Sequence, residues 1–322
     1  MENKVALVVP YFGKLPGYNQ LFLDSCSYNA DFDWLIFSDD TSEYRYPPNV
    51  HFIEMTFEQC RELVQACFDF TVTLHTPQKL CDYKCAYGYI FDKYLEGYDW
   101  WGHCDLDQIF GNLGAFITDE MMSAYDKIGS IGHLSLYRNT PENNAVFMNT
   151  DRYREVFTTT QGCGFDEWLP GNVNEIYLNT DHPALINNLG ADVNSYRTSF
   201  QLVDYSAESG VYEKSPVSNS IFLFDKGTLT QIYEENGELK SKEYPYVHLQ
   251  KRPMKDCRSE EGREKFFIVP NCFVDANKSR ETLLREAKIR GLINTQYVKV
   301  KWKSFKYRLH NGDWKFTNVF KK

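Results

Sequence analysis

The stretch YDWWGHCDLDQIFGNL, residues 98 to 113, sets Asp105 and Asp107 two positions apart, behind two tryptophans and ahead of a glycine-containing turn. In a strand, residues i and i+2 face the same side, so the two carboxylates repel. A divalent cation would relieve that repulsion. Ligands of open α/β sheets gather at the carboxyl ends of the strands, where Mg²⁺ or Mn²⁺ favours carboxylate oxygens completed by substrate phosphates. Bound there, the ion would act as a Lewis acid on a departing diphosphate. The competing reading is a solvated turn, with one aspartate capping the helix expected after Gly111.

Three further stretches carry polar groups of interest. YVHLQKR (246–252) places His248 just ahead of Gln-Lys-Arg. GHLSLYRNTPENNAVF (132–147) gathers Arg138, Asn139 and Asn144, which could read sugar hydroxyls or form an ordinary turn before a proline. GCGFDEWLPGNVNEIY (162–177) puts Asp166 and Glu167 at an expected helix start, where the helix dipole favours acids. Cys81 and Cys85 share an expected helix and Cys104 follows, but no second Cys/His pair stands at finger spacing, so structural zinc is not expected.

The elements that must position these groups follow from pattern. KVALVVPYF (4–12), FDWLIFSDD (32–40) and VHFIEM (50–55) read as buried strands. Helices are predicted from about Pro16, over 57–70, over 82–95 with Asp82 as N-cap, and over 113–128. YDWWGHCDLD and SIGHLSLYRN (130–139) supply further strands. This alternation predicts an α/β fold with a mostly parallel, doubly wound sheet. Beyond Asn188 the runs joined by ENGE read as a small antiparallel addition, and ANKSRETLLREAKIRG as a capped helix ending at Gly291. The expected division is 1–255, the catalytic domain, and 256–322, a basic helix and strand extension.

Composition narrows the class. The 322 residues carry a net charge of −9, yet residues 278–322 hold 13 Lys/Arg against 3 Asp/Glu. An acidic body with a basic end suggests an anionic partner for that end and argues against nucleic acid. Lys299, Lys301, Lys303, Lys306, Arg308 and Lys315 stand among Trp302, Phe305 and Trp314, which fits an anionic membrane surface or an edge hairpin kept soluble by lysines. No apolar run approaches the roughly 20 residues of a membrane span. MENKVALVVPYF lacks the form of a signal peptide, and nine cysteines spread over the chain suit reduced thiols; the expected location is cytoplasmic, peripheral to the inner face of the membrane.

The segment KLCDYKCAYGYIFDKYLEGYDWWGHCDLDQIFGNL, with VVPYFG, WLIFSDD, SLYRNT and YVHLQKR in order around it, resembles a family of bacterial glycosyltransferase-like proteins of capsule and O-antigen clusters. These resemble the GT-A superfamily of nucleotide-sugar transferases. The family commonly has proline after the lysine of DYK, where Cys85 stands here. The resemblance implies a GT-A-like (Rossmann-related) domain using Mn²⁺ or Mg²⁺, with Asp105, Asp107 and His248 as metal ligands. Lys251 and Arg252 would hold the diphosphate and Lys84 approach it. Pro10, Tyr11, Phe12, Asp39 and Asp40 would lie at the nucleoside, with Arg138, Asn139 and Asn144 at the sugar. Asp166 or Glu167 would serve as general base toward the acceptor. The implied reaction moves a sugar from a nucleotide-sugar donor, UDP-linked by expectation, to a saccharide or polyprenyl-diphosphate-linked acceptor in surface polysaccharide synthesis. The alternatives are a sugar nucleotidyltransferase, whose usual Gly-rich loop PYFGKLPGYNQ does not match, and a non-catalytic carbohydrate-binding or scaffolding protein.

Overall fold

The computed structural model describes residues 2–162, 164–167, 170–195, 199–206, 211–250, 252–259, 263–290, and 298, 299, 302, 305 and 306. The chain opens with β1 (Val5–Pro10), α1 (Asn19–Cys26), β2 (Phe32–Ser38), β3 (Val50–Glu54) and α2 (Phe57–Ala66). β1 and most of β2 are buried on both faces, which is why β1 and residues 34–37 of β2 are unbroken apolar runs. A capping box starts α2: Gln59 N donates to Thr56 Oγ1 and Thr56 N donates to the Gln59 side chain.

The helix predicted over 82–95 is instead a 3-10 segment (Pro77–Ala86), the single α-turn α3 (Tyr87–Ile90) and a second 3-10 turn (Asp92–Tyr94). Asp82 is no N-cap. It lies inside the segment, buried, accepting from Lys79 Nζ at 2.7 Å and from Gly164 N at 2.7 Å. Residues i and i+3 eclipse in a 3-10 helix, so this buried pair suits the tighter winding. Gly88 then passes so near Trp101 that a Cβ there would collide with the indole.

Next come β4 (Trp100–Cys104), β5 (Gln108–Phe110), α4 (Asp119–Ala124), β6 (Lys127–Ile131) and β7 (Leu134–Arg138). The helix expected over 113–128 is cut to a 3-10 turn and α4, because Lys127 and Ile128 pair with Tyr137 and Leu136. The strand expected over 130–139 is therefore the closing half of a hairpin. The remaining helices are α5 (Pro141–Asn144), α6 (Arg152–Thr158) and α7 (Val173–Leu178). Then follow β8 (Ala184–Leu185), β9 (Ala191–Val193), β10 (Leu202–Ser206), β11 (Val211–Lys214), β12 (Ser220–Asp225), β13 (Thr228–Glu235), β14 (Glu238–Glu243), β15 (Tyr246–His248), β16 (Lys255–Asp256), β17 (Lys265–Val269), β18 (Cys272–Asp275) and α8 (Arg280–Arg290).

These strands make three sheets, ordered β3-β2-β1-β4-β7-β6-β8, β11-β10-β9-β15-β5 and β14-β13-β12-β17-β18-β16. The first is parallel from β3 to β4, antiparallel at β4–β7 and β7–β6, and parallel again at β6–β8. The fold is thus mixed α/β, less parallel than predicted, and the expected small antiparallel addition is two mostly antiparallel sheets, each with one parallel pair. ENGE is the expected hairpin turn, with Asn236 at φ 53° and Gly237 at φ 81°, as a type I′ turn requires. β17 pairs with β12 and so joins residues on either side of 255 in one sheet. Helix α8 begins at Arg280, after Ser279, whose Oγ accepts from Thr282 N; Gly291 lies outside the described residues.

Alternation on β4 sends Trp101 into the core with Tyr137, Phe147 and Phe157, and Trp100 into the opposite core with Trp34, Phe110 and Tyr246. Trp101 stacks on Tyr137 at 4.3 Å, and its Nε1 donates to Asn144 Oδ1 at 2.6 Å. Asn144→Ala leaves that buried indole N–H unpaired and is expected to cost roughly 1–3 kcal/mol. The check is a lowered urea midpoint with an unchanged slope.

Candidate metal centre

Asp105 and Asp107 occupy the turn in which the chain leaves the seven-stranded sheet at β4 and enters the five-stranded sheet at β5. β5 pairs antiparallel with β15, setting His248 opposite Gln108. Leu249 N donates to Asp107 O at 2.8 Å, while Asp105 N and Gln108 Nε2 both donate to His133 O. The turn is therefore fixed from both sides, and the histidine arrives beside the aspartates through sheet register.

The three side chains converge as expected. His248 Nε2 lies 3.6 Å from Asp105 Oδ2 and 3.3 Å from Asp107 Oδ1, and one ligand atom from each lies within 4.8 Å of the others. Bonds of about 2.0–2.2 Å to one ion place neighbouring donors about 3 Å apart, so small movements close the site on a cation. β9 runs parallel beside β15 and sets Asp192 level with His248. Asp192 Oδ1 lies 2.9 Å from His248 Nδ1 and accepts from Gln250 Nε2 at 2.7 Å. A carboxylate at Nδ1 keeps the proton there and turns the Nε2 lone pair toward the aspartates. Burial opposes charge on His248, but Asp107 and Asp192 outweigh it and raise its pKa well above the usual value. A proton and a divalent cation thus compete for the same nitrogen.

Lys84 is buried beside this group. Its Nζ donates to Asp105 Oδ1 and to Gly132 O, each at 2.7 Å, and lies 3.9 Å from Asp166 Oδ2. Burial would lower its pKa, yet Asp105 and Asp166 help hold it well above the ordinary lysine value. Burial likewise works against the Asp105 carboxylate, and Lys84 overcomes it, lowering the pKa. Lys84 is therefore engaged at one oxygen of Asp105 and leaves the other facing His248.

Asp166 and Glu167 sit in a turn, not at a helix start; α7 begins at Val173, capped by Asn172. Glu167 accepts from Gly132 N at 2.9 Å and from Tyr212 OH at 3.0 Å. Asp166 is buried against Gly132, where any Cβ would strike its carboxylate. Burial first and Glu167 second push its pKa well above the usual carboxylate range, with Lys84 opposing.

Other expected residues divide. Pro10 ends β1, and Tyr11 is half-buried, its phenol pKa raised by burial and then by Asp107 and Asp40. Tyr11 therefore feels the charge of both carboxylates. Phe12 is core instead, packed on Phe57 at 5.4 Å. Asp39 accepts from Gly13 N at 2.7 Å, and Asp40 accepts from Ser42 Oγ at 2.6 Å and Leu15 N at 2.8 Å. These bonds, Ser42 foremost, hold Asp40 down at about 2 and spend its carboxylate on shaping the loop. Both aspartates still line a cavity of about 460 Å³ with Tyr44, Tyr46, Phe52 and Glu54.

Arg138, Asn139 and Asn144 are not brought to the site. Arg138 pairs with Asp126 at 2.7 Å and lies over Trp100; Asn139 caps the carbonyls of Leu95 and Tyr98; Asn144 holds Trp101 and Gly88. Arg252 is buried, donating to Asn194 O at 2.8 Å over the Phe200 ring. Lys251 lies outside the described residues, as do Lys301, Lys303, Arg308, Trp314 and Lys315. Trp302 and Phe305 are 58% and 44% exposed, stacked at 5.6 Å, with Lys306 over Trp302. Among the described residues, no helix is long and apolar enough to cross a membrane.

Asp192 and His133 were not found from sequence. The one available signal for Asp192 was a carboxylate inside the short apolar run GADVN, and its meaning depends on pairing with β15.

The family described as a family of unknown function (DUF6625) matches residues 7–277. No curated protein matches the chain. Among solved structures, the galactosyltransferase LgtC in complex with donor and acceptor sugar analogues is similar at a TM-score of 0.33 and 10% identity, over 58% of this chain and 75% of that one. The glycosyltransferase GlyE of Streptococcus pneumoniae TIGR4 is similar at a TM-score of 0.31 and 11% identity, over 57% of this chain and 45% of that one. These are distant resemblances.

Asp192→Asn keeps the shape but exchanges the charged acceptor at His248 Nδ1 for a neutral amide, which fixes the tautomer less firmly. Mn²⁺ affinity, read by calorimetry, is expected to fall about 10–100-fold. An unchanged affinity would show that Asp192 does not orient the ligand.

Proposed function

The chain belongs to the DUF6625 family of unknown function, and we propose that it is a metal-dependent glycosyltransferase using a nucleotide-sugar donor, UDP-linked, and a saccharide or lipid-linked saccharide acceptor. The observation that carries this reading is the convergence of Asp105, Asp107 and His248 on one small volume, with the other His248 nitrogen held by buried Asp192. Two carboxylates and one imidazole suit Mn²⁺ or Mg²⁺ completed by phosphate oxygens. The cation, when bound, supplies Lewis-acid stabilisation of the leaving nucleoside diphosphate.

The chain's own residues do the rest. Lys84 keeps Asp105 ionised and adds fixed positive charge beside the diphosphate. Tyr11 and the cavity bounded by Asp39 and Tyr44 lie toward the nucleoside end. Asp166 takes the acid–base role in preference to Glu167, whose two oxygens already hold Gly132 and Tyr212. A carboxylate with a raised pKa is the stronger base, and Asp166 lies 3.9 Å from Lys84, which supports a role beside the proposed diphosphate site. The exposed Trp302 and Phe305 pair with Lys299 and Lys306 nearby supports a membrane-surface role for the basic end, which suits a lipid-linked acceptor.

Incubation with nucleotide-sugars and Mn²⁺ is expected to release nucleoside diphosphate. EDTA, Asp105→Asn or Asp107→Asn should each abolish that release. Silence on every donor, with Mn²⁺ binding intact, rejects the reading in favour of a binding protein. Asp166→Asn is expected to lower turnover by at least about 10²-fold while sparing Mn²⁺ affinity. Because Asp166 works ionised and its pKa is raised, the wild-type rate should fall on acidification at a pH well above that of an ordinary aspartate. An acid limb at ordinary aspartate pH excludes Asp166 as the base.

A further inference from the structure

Behind the Asp-x-Asp turn runs a second, deeper cluster. Tyr246 OH lies 2.9 Å from His133 Nδ1, and Asp192 Oδ1 lies 2.9 Å from His248 Nδ1. Between these pairs, His133 Nε2 and Asp192 Oδ2 face each other across 4.0 Å. His133 is 2% exposed and Asp192 1%, and these two facing atoms have no hydrogen-bond partner among the described residues. Buried polar atoms are nearly always satisfied, and 4.0 Å is too long for a direct hydrogen bond. Two donors on one tetrahedral ion with bonds of roughly 2.0–2.2 Å stand about 3.3–3.6 Å apart, so a closing movement of about half an ångström would seat an ion between them. His133, Asp192 and His248 each offer a donor within 4.8 Å of the others.

We propose that His133 Nε2, Asp192 Oδ2 and His248 Nδ1 form a second metal site, for Zn²⁺ or an ion of the same borderline class. The set is rich in imidazole and closed to solvent, which suits zinc better than Mg²⁺ or Mn²⁺. Occupation has a consequence for the outer site. A neutral imidazole has one lone-pair nitrogen. When His248 Nδ1 binds zinc, its proton passes to Nε2, which then cannot serve the cation between Asp105 and Asp107. Zinc therefore excludes the outer cation and inhibits. The zinc site stands on its own geometry; the exclusion rests on the reading of His248 Nε2 as a ligand of the outer ion.

The test is equilibrium dialysis of the EDTA-washed full chain against Zn²⁺ and Mn²⁺, with bound metal measured by elemental analysis. The Asp105→Asn, Asp107→Asn double variant should lose Mn²⁺ yet keep one equivalent of Zn²⁺. His133→Asn, whose amide can still partner the Tyr246 hydroxyl but lacks an atom at Nε2, should bind Zn²⁺ at least about 10-fold more weakly with Mn²⁺ unchanged. In the wild type, saturating Zn²⁺ should drive bound Mn²⁺ toward zero. Zn²⁺ uptake that vanishes with the two aspartates, or that ignores His133→Asn, overturns the site and leaves a water in the gap. Simultaneous full binding of both ions overturns the exclusion. Zn²⁺ uptake that needs His133 while Mn²⁺ ignores Asp105 and Asp107 upholds the inner site and sinks the glycosyltransferase reading instead. Should His133→Asn fail to fold, the double variant decides alone.

Discussion

Asp107 is buried and Asp105 partly buried in one small volume, and their mutual repulsion constrains everything built around them. Desolvation strengthens that repulsion, since little water is present to screen it. Lys84 answers part of it from below, at 2.7 Å from one oxygen of Asp105. His248 answers from the side, reaching both carboxylates through one nitrogen. Neither can leave: the lysine is tied to Gly132 O and the imidazole to Asp192. The acidic pair is thus held in a shape that welcomes further positive charge.

The five-stranded sheet supplies that shape. β5, β15 and β9 lie side by side, so one row of the ladder sets Gln108, His248 and Asp192 level, next to the Asp-x-Asp turn. A slip of one residue in β15 would turn His248 to the opposite face and bring in Val247 or Leu249. Tyr246, two residues before His248 and on the same face, packs into the core beside Phe110 and so fixes the register. The site's precision is therefore a property of apolar packing at Tyr246 and Phe110 as much as of its polar groups.

This explains what the sequence could and could not reveal. Strands β1 and β2 and the ENGE hairpin were legible because local pattern decides them: buried runs between turns, and a turn that needs positive φ; β3 was legible as a strand, but at the sheet edge only its Val50 is buried. The Asp-x-Asp and His248 were legible through their chemistry and through resemblance. Asp192 was not, because its role arises from pairing between strands 56 residues apart. Arg138, Asn139 and Asn144 misled for the converse reason. Polarity in a loop marks hydrogen-bonding capacity, and here that capacity is used on carbonyl oxygens and an indole inside the protein. The helix over 82–95 failed because a buried ion pair at i,i+3 and a glycine against Trp101 outweighed helical propensity.

Charge balance around the turn points the same way as its geometry. Asp105, Asp107 and Asp192 face the cluster as carboxylates, and Asp166, whose pKa burial and Glu167 raise, adds a further negative charge when it is ionised. Against these three negative charges stands the one ammonium of Lys84. With His248 neutral and Asp166 protonated, two negative charges remain, the amount a divalent cation neutralises; with His248 also protonated, the deficit is one. Protonation is thus an incomplete substitute for the metal, and an incoming diphosphate would turn that shortfall into strong repulsion. The deficit suits a cation, and under the proposed function that cation would offset the charge of a diphosphate as well.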